Sequence, residues 1–163
     1  MKMYLAEAIK RVRLLSDDID ILLCHESTYN SITYRDESEK IISDYNYDET
    51  RKKIAELSDE ILKLKRAINK ANNDTLIGVN DYTISDGLVK MALIKKEIDI
   101  HLEQMIRKEK LSSRVDMRND GLVYTELLYD PDECKEYLKA QKVLLSEIQM
   151  GIDRANLTTT IEI

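Results

Sequence analysis

Three constellations in the chain carry side chains capable of chemistry. Cys24-His25-Glu26 sets a thiol, an imidazole and a carboxylate in succession. His101 and Gln141 each interrupt an otherwise apolar helical stripe, and the pattern Ala-Asn-x-x-Thr occurs twice, carrying Asn72 and Thr75 in one copy and Asn156 and Thr159 in the other. The first group has the ligand types of a metal site, but consecutive residues on a helix diverge by about 100° and cannot converge on one ion. His101 and Cys134 are too few to complete a tetrahedral set within one chain. A polar residue in an apolar seam commonly fixes register or oligomeric state, which is the reading for His101 and Gln141, with a ligand or proton site as the alternative. The Asn/Thr pairs fit helix-end capping and anchoring of the chain exit, with a paired binding site as the alternative. No phosphate-binding glycine loop, GxSxG or HExxH occurs. The expectation is that there are no catalytic residues, no cofactor and no metal.

The elements that must carry these residues are long helices. Leu5, Ala8, Val12, Leu15, Ile19 and Leu22 recur at spacings of three and four, predicting a first helix from about Met3 to Cys24. The segment from His25 to about Asn46 loses that period and falls among four tyrosines, Tyr29, Tyr34, Tyr45 and Tyr47, so it reads as a long connection, either a partly ordered loop capping a bundle end or a binding loop. Asn46 as N-cap and Glu49 at N3 open a second helix with the seam Ile54, Leu57, Ile61, Leu64, Ile68 and Ala71, which should pair antiparallel with the first. Thr83 and Asp86 form a capping box for a third helix, expected to run to about Leu111 along Ile84, Gly87, Met91, Ile94, Ile98, His101 and Met105. Arg114 to Arg118 and Leu122 to Tyr129, split by Asn119-Asp120-Gly121, predict a β-hairpin. An isolated hairpin is marginal in water, so it must pack on the bundle or pair with another subunit. Asp130, Pro131 and Glu133 start the fourth helix, with the seam Leu138, Gln141, Leu145, Ile148, Ile152 and Ala155.

The second and fourth helices read as copies of each other. Ile68 to Ile77 returns as Ile152 to Ile161, an offset of 84 residues from Asn72 to Asn156. Leu14 to Leu23 returns as Leu93 to Leu102 at an offset of 79, from Ile19 to Ile98. The fold expected is mainly α: an antiparallel four-helix, coiled-coil-like bundle made from a duplicated helical hairpin, with a small β-hairpin before the last helix. It is expected as one helical domain over residues 1–163, with pseudo-repeats at about 3–77 and 83–163.

Composition narrows the function class. The net charge of −6 comes from 25 basic and 31 acidic residues interspersed along the helices, which argues against a nucleic-acid partner. Two isolated cysteines fit free thiols in a reducing compartment. Glu7, Lys10 and Arg11 break any signal-type apolar core, and no run reaches transmembrane length. A cytoplasmic protein without stable membrane insertion is expected.

Leu5-Ala6-Glu7-Ala8-Ile9, Ile68 to Thr75, Asp86-Gly87-Leu88 and Ile148 to Thr159 together give a chain that resembles the septicolysin-like family of small bacterial helical proteins over nearly its whole length. The resemblance implies a helical, coiled-coil-rich protein and carries no catalytic residues. Leu157, where the family usually has an aromatic, and Leu111-Ser112-Ser113-Arg114-Val115 depart from its pattern. The function expected is that of a non-enzymatic structural or interaction protein that forms a homo-oligomer. Alternatives are a membrane-active, cytolysin-like protein and a small-ligand or metal-binding enzyme.

Overall fold

The computed structural model describes residues 2–40, 43–116 and 121–163. In chain order it runs β1 (Lys2–Tyr4), α1 (Leu5–Tyr29), a 3₁₀ turn (Glu37–Glu39), α2 (Tyr47–Asp74), α3 (Ile84–Glu97), a π-helical segment (Ile98–Leu102), α4 (Glu103–Met105), β2 (Leu111–Asp116), β3 (Gly121–Glu126), α5 (Pro131–Thr158) and β4 (Thr160–Glu162). The protein is mainly helical with two small antiparallel sheets. The chain divides into two compact units, Met1–Thr75 with Asn156–Ile163, and Leu76–Ala155.

In the first unit α1 and α2 form an antiparallel pair. Arg11, near the start of α1, meets Glu60 at the middle of α2 at 3.0 Å, and Arg51, near the start of α2, meets Glu26 near the end of α1. The period-three-and-four seams do the packing: Leu5, Ala8, Leu15 and Leu64 are buried, and Val12, Ile19, Leu22, Ile54, Leu57, Ile61, Ile68 and Ala71 are half-buried. α2 begins as expected, with the Asn46 side chain accepting from the Glu49 amide at 3.2 Å. α1 runs past its expected end at Cys24 to Tyr29, because Ser27 and Thr28 return their hydroxyls to the Cys24 carbonyl and so remain within the helix. Two features depart from the sequence expectation, a terminal strand pair that it lacked and a helix end that it placed at Asn72 and Asn73. The residues before α1 pair with the end of the chain, Lys2, Met3 and Tyr4 opposite Glu162, Ile161 and Thr160, and the Leu5 amide donates to the Thr159 carbonyl at 2.8 Å. α2 also continues through Asn72 and Asn73 to Asp74, with Thr75 as its extended C-cap.

In the second unit α3 lies antiparallel to α5. Gly87 faces Ile148 and Ile152, and further along Tyr137 Oη donates to Glu97 at 3.3 Å. α3 opens on the expected box, the Thr83 hydroxyl accepting from the Asp86 amide while the Asp86 carboxylate accepts from the Thr83 amide. Before it, Leu76 pairs with Thr83 around a turn in which Gly78, Asn80 and Asp81 take positive φ, a conformation that glycine and short polar side chains tolerate best.

The third helix departs from expectation in two ways. It stops at Met105, short of Leu111, where β2 already begins. Its seam also changes phase: the π segment adds a residue to one turn, so burial passes from Ile98 to Leu102 and leaves His101 exposed. The hairpin follows with Leu111–Asp116 against Gly121–Glu126. Met117 to Asp120, most of the turn expected there, fall outside the described residues, as do Ile41 and Ile42 of the 25–46 connection. Asp130 caps α5 by accepting from the Asp132 amide at 2.9 Å, with Pro131 as first helical residue. Cys134, Leu138, Ile148, Gly151, Ile152 and Ala155 line the buried side of α5.

Candidate functional site

A connected polar cluster lies in the first unit, where the end of α1 meets the start of α2. The Glu26 carboxylate is the hub. One oxygen accepts from Tyr45 Oη at 2.5 Å and the other pairs with the Arg51 guanidinium. Arg51 in turn stands over the Tyr47 ring, 5.5 Å from its centroid. The His25 ring lies 4.6 Å from that of Tyr29 and 6.4 Å from that of Tyr45. The hydrogen bond to Glu26, aided by desolvation, holds the Tyr45 hydroxyl protonated and pushes its pKa up to about 12. Glu26 spends both oxygens on neighbours in its own unit, so the arrangement suits a clamp that closes the long connection onto the helix pair more than it suits a general base. Sequence reasoning singled out Cys24, His25 and Glu26 as metal-capable. The structure uses Glu26 as an ion-pair partner and leaves Cys24 exposed. Its partners Tyr45 and Arg51 went unassigned because they lie 19 and 25 residues away; the tyrosine-rich composition of the connection was the available signal.

The other candidates separate. His101 is exposed, Gln141 is half-buried, and no hydrogen bond between them occurs among the described residues. Cys134 is buried as part of the core of its unit. Among the described residues no group of three or more His, Cys, Asp or Glu side chains is placed to hold a metal ion. The threonines of the two Ala-Asn-x-x-Thr copies do come together. Thr75 and Thr159 line one groove of about 300 Å³ in the first unit, along with Lys70, Asp74 and Glu162. Asn72 and Asn156 behave alike as well, each burying an amide oxygen that has no hydrogen-bond partner among the described residues. A buried acceptor of this kind costs free energy, so the two asparagines are not ordinary surface caps. No described helix is long and apolar enough to cross a membrane.

No protein-family model matches the chain, and no curated protein matches it. A solved structure that is similar is that of a functionally unknown conserved protein from Corynebacterium diphtheriae, with a TM-score of 0.68 and 20% sequence identity, covering 99% of this chain and 100% of that one. At that identity the likeness is one of fold.

Proposed function

We propose that the protein is a non-catalytic structural or interaction protein of the bacterial cytoplasm that works by self-association. The observation that carries this reading is the two-sidedness of α3 and the π segment after it. Ile84, Gly87, Met91, Ile94, Ile98 and Leu102 form the buried seam, yet Val89, Leu93 and Ile100 make a second aliphatic stripe on the side away from it, all three exposed. A helix that packs by one face ordinarily keeps its opposite face polar. The stripe presents on the order of 300 Å² of apolar side chain, comparable to patches that mark association surfaces. α1 repeats the arrangement, with Leu14 and Ile21 exposed opposite its own seam.

An origin by duplication of a helical hairpin, and with it a four-helix coiled-coil-like bundle, belongs to the same proposal. Burial at corresponding positions supports it: Leu5 and Ile84, Ala8 and Gly87, and Leu15 and Ile94 are buried at an offset of 79, and Leu64 and Ile148 and Ile77 and Ile161 at an offset of 84. So does the local pairing, since Tyr4 opposite Thr160 precedes α1 as Thr83 opposite Leu76 precedes α3. Membership of the septicolysin-like family is proposed on the residues quoted above, and it adds no activity.

Light scattering on the purified protein tests the reading. A defined oligomer is expected, and Leu93→Asp combined with Val89→Asp should reduce its mass. A wild-type protein with the mass of one chain at micromolar concentration would sink it.

A further inference from the structure

We propose that the hairpin of β2 and β3 is a dimerisation arm, whose apolar face packs on the same face of a second copy of this chain. The proposal rests on the self-association reading but names a surface which that reading does not use. Side chains alternate across a strand, and directly paired residues share a face. The register, from Leu111 opposite Glu126 to Val115 opposite Leu122, therefore sorts the hairpin into two unlike faces. Leu111, Ser113, Val115, Leu122 and Tyr124 lie on one, with Glu126 at its end. Ser112, Arg114, Val123 and Thr125 lie on the other. Both faces are exposed, and the apolar one carries the more exposed large side chains: Leu111 is 59% exposed, Val115 66%, Leu122 59% and Tyr124 63%, against 38% for Val123 on the other face.

A two-stranded sheet with a bare aliphatic face is marginal in water and gains stability when that face is covered. The base of this hairpin is nonetheless held in place. The Leu127 amide donates to the Lys110 carbonyl at 2.9 Å, Lys110 pairs with Asp130 at 3.3 Å, and Tyr129 Oη donates to the Met105 carbonyl at 2.9 Å. The arm is thus anchored at one end with its apolar face open.

A second copy fits that face in area, charge and shape. The four apolar side chains expose roughly 500 Å² in one copy, so two copies face to face would bury on the order of 1,000 Å², the lower limit for a specific interface. Leu128, fully exposed just beyond β3, would add to it. Among the described residues the face carries no basic side chain and one carboxylate, at its end, so these residues select neither an acidic partner nor an anionic lipid surface. Small Ser113 lies directly across from Tyr124, so a short side chain stands beside the ring. A twofold axis through the face would let the Tyr124 ring of each copy pack over Ser113 of the other, an isologous contact that closes on itself.

The test compares native mass, by light scattering, of the wild type and of Leu122→Asp combined with Tyr124→Asp, with circular dichroism to establish that the variant keeps its helices. The expected result is an oligomeric wild type and at least a twofold lower mass in the variant. An oligomeric wild type with a folded variant of unchanged mass overturns the hairpin proposal and leaves self-association standing. A monomeric wild type overturns both, and its co-sedimentation with phosphatidylglycerol vesicles would reassign the face to a lipid surface.

Cross-linking covers the case in which the double variant misfolds. In a Cys24→Ser background, Ser113→Cys on the apolar face should be joined between copies by a short bismaleimide, and Ser112→Cys on the polar face should not. Equal cross-linking at both positions would count against the proposal.

Discussion

Gly151 gives the sharpest test of how the second unit is packed, because two effects of known sign oppose each other there. It lies inside α5, where replacing glycine by alanine normally stabilises a helix by up to about 1 kcal/mol. A Cβ at this position would stand 2.6 Å from the Ile77 carbonyl oxygen and 3.1 Å from the Ile77 Cβ. The first of these is a backbone atom and cannot swing aside. Ile77 is itself buried, and its amide is bound to the Tyr82 carbonyl at 2.9 Å, so relieving the clash means moving the turn that leads into α3. Overpacking of this kind costs about 1 to 3 kcal/mol, which outweighs the gain in helix propensity. Gly151→Ala should therefore lower stability by about 1 to 2 kcal/mol, a fall in Tm of roughly 2 to 8 °C for a chain of this size. Thermal melts followed by circular dichroism read it directly. A Tm equal to or above that of the wild type would refute the reasoning. Gly87→Ala serves as an internal comparison. Its closest approach, 2.9 Å, is to the Cδ1 end of the Ile77 side chain, which can rotate, so its loss should be the smaller of the two.

Two further outcomes follow from the first unit. Asn46→Ala removes the side chain that accepts from the Glu49 amide and should cost about 1 kcal/mol in chemical denaturation, while Asn46→Asp should retain most of the stability. The pKa of Tyr45 is raised on folding, so the stability it contributes is fully present below the ordinary tyrosine value of about 10 and is lost as pH rises through about 12. Spectrophotometric titration of the nine tyrosines should then show a late-ionising component that Tyr45→Phe removes. Survival of that component in the variant would place the late ionisation elsewhere, Tyr137 being the other hydroxyl held protonated, by desolvation and by Glu97.

The helices were legible because their signals are local. A seam such as Leu5, Ala8, Val12, Leu15 needs only the helical period, and a cap such as Asn46 with Glu49 or Thr83 with Asp86 needs only three residues of separation. The hairpin was legible in kind, from its strand formers, although its strands begin and end a few residues away from the expected places. The candidate site was legible only in composition. Glu26 could be named as a ligating side chain, but its partners come from the next helix and the connection before it, and distance along the chain hides such pairs.

The amino-acid sequence by itself determined the helical character of this protein, its buried seams and its caps, all properties that repeat over one or two turns. Tertiary structure alone decided the rest. It joined Lys2–Tyr4 to Thr160–Glu162, strands too short to stand without each other. It placed the third seam on Leu102 and not on His101 by a π turn, a choice the sequence leaves open because the two lie four and three positions after Ile98. It showed which face of the hairpin is apolar, because only the register says which residues lie opposite one another. And it gave Gly151 its reason, the carbonyl of Ile77 lying where a side chain would have to be.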